Sequence, residues 1–374
     1  MPVKKTRDQG VHDESKPQDK EGLPSAVARR SLGSDEANLG LELEDHRMSA
    51  APKKGLYGDI KLFAGSAIPE LAQKIADYLE VPLSGRDLIQ FPNENLLVKL
   101  HGSVRGQDVY VIQSTSKPVH RNWMELLIML QTLRLDSAAR ITAVIPFMSY
   151  ARSDKKDQPR VPIVARLVAD MVEVAGADRY ITLDLHAGQI QGFFSIPGDV
   201  LTTFHLLADY AQKMCKSLKE PVVVSVDLGF AKRARNFAER INVPLALIEK
   251  RRVTNDAKAE AMRLVGDVEG RDVLLVDDEV DTAGSAAEGV ELLVKSGARK
   301  IYLLFVHPVL SDPATERLAK LPLTGIITTD TIPIPEEKSK LLGDKLTILS
   351  VSSLLGEVIK RAHEGRSVGK MFNE

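Results

Sequence analysis

VLLVDDEVDTAGS, residues Val273–Ser285, is the stretch that decides the fold. A short apolar run ends in two aspartates, and the chain then turns through small and polar residues. Beyond the turn, apolar residues recur at helical spacing at Ala286, Val290 and Leu293. The pattern predicts a buried strand, a tight polar turn and a helix packed on the same sheet. In parallel α/β sheets, ligands bind at the carboxyl ends of such strands.

The same alternation of strand and helix extends outward from this stretch in both directions. Strands are predicted at Ile60–Gly65, Asp108–Thr115, Arg140–Pro146, Arg179–His186, Pro221–Asp227 and Val273–Asp278. A helix capped at Ser66, with Pro69 in its first turn, is expected after the first strand, and others begin at Asn122, Pro162 and Phe230. The chain is therefore predicted to form two doubly wound α/β domains with parallel sheets, over residues 59–200 and 201–374.

Residues 1–58 differ in composition from the rest of the chain. They are rich in Lys, Asp, Glu, Ser, Gly and Pro and poor in aromatic residues, so they are predicted to form a disordered tail. Met48 stands shortly before the first strand. A translation start at Met48 and a regulatory tail explain these residues equally well.

Overall charge excludes several classes of partner. The 50 basic and 51 acidic residues leave a net charge of -1, so no whole-molecule field favours nucleic acid or an anionic membrane, and an anion site must be local. The single cysteine, Cys215, cannot form an internal disulfide. No apolar run is long enough to cross a bilayer or to serve as a secretory signal. We expect a cytoplasmic protein that binds neither nucleic acid nor membrane.

The turn after VLLV combines an anion cradle with carboxylates. Backbone N–H groups and the dipole at the start of the helix can bind a phosphate, and nearby hydroxyl groups add donors. Carboxylates repel a neighbouring phosphate, so we expect them to bind sugar hydroxyls or a Mg²⁺ ion. The alternative is a capped helix with solvated aspartates. A site for a phosphorylated sugar is predicted from Asp277, Asp278, Asp281, Thr282, Ala283, Gly284 and Ser285.

This turn resembles the 5-phosphoribosyl-1-diphosphate (PRPP) motif shared by type I phosphoribosyltransferases and PRPP synthetases. Tyr150–Ile163, Ile181–Phe194, Val224–Gly229 and Ile248–Arg252 resemble ribose-phosphate pyrophosphokinase segments, in that family's order. The resemblance extends from Asp59 to the C-terminus. It implies transfer of the β,γ-diphosphoryl group of MgATP to the C1 hydroxyl of ribose 5-phosphate, giving PRPP and AMP. It also implies a Mg²⁺ cofactor and a homo-oligomer, with dimers assembling to a hexamer.

The resemblance further implies roles for individual residues. Lys250 and Arg252 would stabilise the charge on the transferred group, as electrostatic catalysts. Asp184 and His186 lie two residues apart at a strand end, so both face one side of the sheet. The implied metal ligands are His186, Asp227, Asp184 and Asp199, and the implied ATP contacts are Arg152, Ser153, Asp154, Lys155 and His186.

Several positions depart from the family pattern. Phe91 is kept, and in the family it stacks on adenine across a subunit boundary, but Asn93 and Asn95 replace two acids of the same ATP-binding segment. Ser153 replaces a glutamine beside Arg152, and Ser195 stands where many members have aspartate. Asn93, Asn95 and Ser153 change the hydrogen-bond donors and acceptors offered to the nucleotide, and Ser195 changes one metal position.

Two alternative functions remain at this stage. A PRPP-consuming phosphoribosyltransferase shares the loop, but it would need neither an ATP-binding half nor the Lys-Arg-Arg segment. A regulatory paralogue of a PRPP synthetase is compatible with the changed Gln90–Val98 segment and with the tail. The intact Ile248–Arg252 segment favours an active enzyme.

Overall fold

A computed structural model describes residues 57–252 and 260–371 of the chain. The strands of this part are β1 (Ile60–Ala64), β2 (Arg86–Gln90), β3 (Leu96–Leu100), β4 (Asp108–Ile112), β5 (Arg140–Ile145), β6 (Arg179–Leu183), β7 (Gly198–Leu201), β8 (Val222–Ser225), β9 (Leu245–Arg252), β10 (Glu260–Val265), β11 (Asp272–Val280), β12 (Lys300–Pro308), β13 (Gly325–Thr329) and β14 (Leu346–Leu349). The helices are α1 (Pro69–Leu79), α2 (Val119–Leu135), α3 (Val164–Val174), α4 (Phe204–Cys215), α5 (Ala231–Ile241), α6 (Gly284–Lys295), α7 (Ala314–Lys320), α8 (Glu336–Leu342) and α9 (Ser352–Glu364). Each of these helices is too short or too polar to cross a membrane.

Two largely parallel sheets organise the described residues. The first sheet has the order β1-β4-β5-β6-β7, and its neighbouring strands are all parallel. The second has the order β10-β9-β8-β11-β12-β13-β14, in which β10 alone runs antiparallel to its neighbour. Strands β2 and β3 form a separate antiparallel hairpin. The predicted α/β class with parallel sheets is confirmed.

Helices cover both faces of the first sheet. Val109 and Val111 of β4 pack with α2 and α3, whereas Tyr110 and Ile112 pack with α1 and α9 on the opposite face. Successive side chains of a strand point to opposite faces, so a strand covered on both sides is apolar throughout. Burial of every residue of β4 follows from this arrangement.

The second sheet is built in the same way. Val223 and Leu274 pack with α4 and α5, and Leu275 and Leu303 pack with α6 and α7 on the other face. Strand β11 continues past the predicted end at Asp278 to Val280, so it includes Glu279 as well as Asp277 and Asp278.

The beginning of α1 differs from the prediction. Pro69 does stand in the first turn, but the N-cap is Ile68, and no side chain caps the helix. Ser66 instead donates its backbone N–H to the Glu125 carboxylate at 2.7 Å. Residue type favours a cap at Ser66, whereas its actual partner lies 59 residues away and is brought near only by packing.

The last helix returns to the first sheet. His363 contacts the Asp108 carboxylate at 2.8 Å, and Arg140 donates to the carbonyl of Ala362 at 3.0 Å. The predicted division at residue 200 falls within β7, and it stays a prediction. The disordered tail was predicted over residues 1–58, and residues 1–56 lie outside the described part.

Candidate active site

A cavity of about 700 Å³ lies where the carboxyl ends of β6, β8 and β11 meet. Residues from both sheets line it, so neither half of the chain forms it alone. Seven of the predicted site residues are among its lining residues, namely Asp154, Lys155, Asp184, His186, Asp227, Asp277 and Asp278.

His186 and Asp278 join the two walls of this cavity. The Nδ1 atom of His186 lies 2.7 Å from Oδ2 of Asp278, and the imidazole remains partly exposed. This hydrogen bond raises the pKa of His186 above its usual value. Burial alone would raise the pKa of Asp278, but the hydrogen bond and the charge of His186 outweigh it and lower that pKa. The contact therefore favours a protonated His186 imidazolium and an ionised Asp278 carboxylate.

Asp277 and Asp227 add carboxylates to the same cavity. Burial, followed by the charge of Asp278, raises the pKa of Asp277 well above its ordinary value. Asp227 accepts a hydrogen bond from the backbone N–H of Phe230 at 2.9 Å through one oxygen. Crowded carboxylates repel one another, and a cation among them would relieve that repulsion.

This donor set fits Mg²⁺. The ion prefers oxygen ligands and is commonly bound by one or two carboxylates together with substrate phosphates and water. Among residues 57–252 and 260–371, no three acidic, histidine or cysteine side chains form a ready cage for an ion. Asp227, Asp277 and Asp278 are among the carboxylates of this cavity that could share such an ion with a phosphorylated ligand.

The remaining predicted metal ligands have other partners. Both carboxylate oxygens of Asp184 accept hydrogen bonds, one from Thr202 at 2.8 Å and the other from Thr203 at 2.6 Å. Asp199 is not brought to the cavity. It lies early in β7 and pairs with Arg179 at 2.7 Å, at the start of β6 and away from the strand ends that form the site. The family resemblance implies a metal-ligand role for Asp199, but its position early in β7, opposite Ile181, separates it from His186.

The polar turn after β11 leads directly into α6. Ala283 adopts the left-handed conformation at φ 58°, and α6 begins at the next residue without a side-chain cap. Arg317 donates to the carbonyl of Thr282 at 2.6 Å and holds the turn. Backbone N–H groups at the start of a helix without a capping side chain are available to an anion. Thr282 to Ser285 are not among the residues lining the 700 Å³ cavity.

A second cavity, of about 620 Å³, lies on the other side of the acidic strand end and is lined by Arg152, Glu279 and Asp281 among others. Arg152 forms an ion pair with the buried Glu279. The predicted ATP residues are thus divided, since Arg152 faces this second cavity whereas Asp154 and Lys155 face the first. Ser153 lies between them, and its hydroxyl accepts the N–H of Val164 at the start of α3, at 3.2 Å.

The predicted adenine residues lie apart from both cavities. Phe91, Asn93 and Asn95 form the end of the β2–β3 hairpin, where Phe91 is exposed and donates its N–H to the carbonyl of Asn95 at 2.9 Å. Asn93 accepts the N–H of Asn95 at 3.3 Å, so one asparagine stabilises the turn itself. One chain by itself does not bring this hairpin to the strand ends.

The predicted catalytic residues Lys250 and Arg252 belong to β9, whose backbone pairs with β10. Their side chains lie outside the described part of the structure. The backbone places them at the end of β9, on a strand next to β8, which ends at the cavity.

Sequence reasoning missed five polar residues of the first cavity, namely Gln189, Gln191, Thr202, Lys232 and Arg233. Gln189 donates to Asp154, and Lys232 and Arg233 at the start of α5 add positive charge to the wall. Arg233 also donates to the carbonyl of Leu185 at 2.8 Å. The signal was present in the sequence, because two cations follow Asp227 at the start of a predicted helix.

Comparison with known proteins agrees with this geometry. Residues 60–176 match the N-terminal domain of ribose phosphate pyrophosphokinase, and residues 252–373 match the phosphoribosyl synthetase-associated domain. The ribose-phosphate pyrophosphokinase of Caldanaerobacter subterraneus is 48% identical over 314 residues, which cover 84% of this chain and 98% of that protein. That of Wolinella succinogenes is 44% identical over 312 residues, covering 83% and 98% of the two chains. The crystal structure of phosphoribosylpyrophosphate synthetase from Mycobacterium smegmatis superposes with a TM-score of 0.77 at 42% identity, covering 82% of this chain and 99% of that one.

Proposed function

The chain belongs to the ribose-phosphate pyrophosphokinase family, and we propose that its cavity between the two sheets transfers the β,γ-diphosphoryl group of ATP to ribose 5-phosphate. The C1 hydroxyl oxygen bonds to the β-phosphorus of ATP as the bond from that phosphorus to the α,β-bridging oxygen breaks. PRPP and AMP are the products, and the hydroxyl proton passes to solvent.

The hydrogen bond between His186 and Asp278 is the observation that carries this proposal. It joins the end of β6 to the end of β11 at 2.7 Å, in a cavity that also contains Asp227, Asp277 and Lys155. One wall thus offers groups suited to phosphates, and the other offers carboxylates suited to hydroxyls. A phosphoryl donor and a sugar acceptor need such facing walls, because catalysis of this transfer consists mainly of positioning and charge stabilisation.

Each substrate has its own set of proposed contacts. Asp277 and Asp278 accept hydrogen bonds from the ribose hydroxyls, and the turn from Asp281 to Ser285 binds the 5-phosphate through backbone N–H groups. Ribose 5-phosphate then extends from the start of α6 toward the His186 wall. The proposed contacts of the ATP phosphates are Arg152, Ser153, Asp154, Lys155 and His186.

Mg²⁺ is the proposed cofactor, and Asp227, Asp277 and Asp278 would hold it together with the substrate phosphates. His186, as the imidazolium that its contact with Asp278 favours, would face the phosphates rather than the ion. When bound, Mg²⁺ neutralises phosphate charge and orients the diphosphoryl group. The protein residues meanwhile hold the acceptor hydroxyl in line with the β-phosphorus. Lys250 and Arg252 are proposed to close over the transferred group and stabilise the charge that develops on it, and closure also excludes water that would hydrolyse the donor.

The exposed hairpin is proposed to complete the nucleotide site of a second copy of the chain. Phe91 is 44% exposed, and its ring is free to stack on an adenine presented by another subunit. Asn93 and Asn95 can hydrogen-bond the base or ribose. A homo-oligomer follows from this proposal, with a dimer as its smallest active unit. The proposed site of action is the cytoplasm, where both substrates occur.

Measurement of AMP and PRPP tests the function directly. Purified chain is incubated with ATP, Mg²⁺ and inorganic phosphate, with and without ribose 5-phosphate. AMP and PRPP in equal amounts, formed only when the sugar phosphate is present, are the expected result. Absence of both products from the unaltered chain would refute the proposal and favour a regulatory subunit.

A further inference from the structure

His307 lies directly behind the His186 turn, on the second sheet. It is the penultimate residue of β12, is only 3% exposed, and stands opposite Glu279 of β11 in the strand register. Its ring packs against Phe147, with 5.1 Å between ring centroids. A buried histidine needs partners for its ring nitrogens, and those partners indicate what it does.

The two ring nitrogens of His307 contact different parts of the molecule. Nε2 lies 3.3 Å from the carbonyl oxygen of Asp184, and Nδ1 lies 3.0 Å from the hydroxyl of Thr331. A carbonyl oxygen can only accept, so Nε2 carries the hydrogen and donates it. Nδ1 then accepts from the Thr331 hydroxyl. His307 thereby connects β13 and its following residues to the turn after β6.

The turn that receives this hydrogen bond is conformationally demanding. Asp184 has φ 38°, in the left-handed region that few residues other than glycine adopt. Its carboxylate is held by Thr202 and Thr203, and the next carbonyl, that of Leu185, accepts from Arg233 at 2.8 Å. His186 follows immediately. The orientation of these two peptide groups therefore determines where the His186 imidazole meets Asp278.

We propose that His307 is a positioning residue that acts through the Asp184 carbonyl to hold His186 at the reacting phosphates. This inference rests on the proposed function. The hydrogen bond from the second sheet fixes a turn of the first sheet, so the distance between His186 and Asp278 is set by a residue that contacts neither substrate. Displacement of a catalytic group by about 1 Å can reduce turnover by about 100-fold.

A pair of amide variants separates the two contacts of His307. Glutamine extends its amide to the position of Nε2 and can still donate to Asp184, whereas the shorter asparagine reaches only the position of Nδ1 and the Thr331 hydroxyl. We expect kcat of His307→Gln to stay within about 3-fold of the unaltered chain and kcat of His307→Asn to fall about 10- to 100-fold. KM for ribose 5-phosphate should change by less than about 3-fold in both, because its proposed contacts lie on β11 and α6.

Thr331→Val supplies the second measurement. It removes the partner of Nδ1 and leaves the donor to Asp184 in place, so a lower melting temperature with kcat within about 3-fold is expected. Equal kcat in the glutamine and asparagine variants, or a loss in Thr331→Val as large as in His307→Asn, would overturn the positioning role. Activity of the unaltered chain is measured alongside, so that failure of the proposed function is recognised separately.

Discussion

Replacing Asp278 by asparagine removes one charge and keeps the size of the side chain. The His186 imidazole then loses the carboxylate that lies 2.7 Å from its Nδ1 atom. A hydrogen bond between charged groups contributes about 1.5–3 kcal/mol, and the 39% exposure of the imidazole reduces this to about 1–2 kcal/mol through solvent screening. We expect the pKa of His186 to fall toward its ordinary value in Asp278→Asn.

The pH dependence of this effect has a definite sign. Because Asp278 raises the pKa of His186, the pair stabilises the fold fully at pH values below the pKa of an unfolded histidine. The contribution is lost as pH rises through the higher pKa of the folded chain. On the acidic side, Asp278 has a lowered pKa and stays ionised until the pH falls below its usual range. The stability gap between chain and variant should thus be largest near about pH 5–6 and shrink above neutrality.

NMR titration of the histidine ring protons measures the pKa, with His186→Gln used to assign the signal. Denaturant unfolding at several pH values measures the free-energy gap. The control is Asp267→Asn, at a 68% exposed carboxylate that pairs with Arg271 at 3.5 Å, and it should leave the His186 pKa unchanged. An unchanged His186 pKa in Asp278→Asn would show that the contact does not operate in solution. A stability gap that grows above neutral pH would contradict the sign derived from the pair.

Three further predictions concern other parts of the chain. Lys250→Ala should lower kcat at least about 100-fold and leave the Kd of ribose 5-phosphate unchanged, because charge stabilisation acts in the transition state; calorimetric binding and turnover losses of equal size would contradict this role. Asp108→Asn should lower the free energy of unfolding by about 3–5 kcal/mol in denaturant titrations, since the buried Arg140 would lose the opposite charge and one of its two hydrogen bonds to that side chain. A loss under about 1 kcal/mol would refute that estimate. Removing residues 1–47 should leave AMP formation unchanged, and a large decrease in specific activity would instead assign a function to that segment.

Much of the fold was readable from local pattern. Apolar runs predicted the strands, because helices cover both faces of each sheet. VLLVDD predicted the strand that carries Asp277 and Asp278. Local sequence patterns did not predict contacts with partners that are distant in the chain. Ser66 looked like a helix cap, but it binds Glu125, and α9 packs on the first sheet although it follows the second.

Site prediction had the same strengths and limits. Acids and a histidine at strand ends were recognisable because parallel strands deliver their carboxyl ends to one edge, and His186, Asp227, Asp277 and Asp278 do meet in one cavity. The family resemblance also implies a role for Asp199, but this residue lies early in its strand and pairs with Arg179. Position along a strand, rather than residue type, decides which acids reach the site.

Residue types and their spacing by themselves indicated the α/β class and the acidic strand end, and the resemblance of several motifs to a known family indicated the family. Tertiary structure alone decided which residues meet across the two sheets: His186 with Asp278, Arg152 with Glu279, and His307 with the Asp184 carbonyl. Hydrophobic periodicity indicates which side of a helix or strand packs on its own sheet. Contacts between residues about 90 to 130 positions apart depend on how the two sheets pack, and no local pattern encodes that packing.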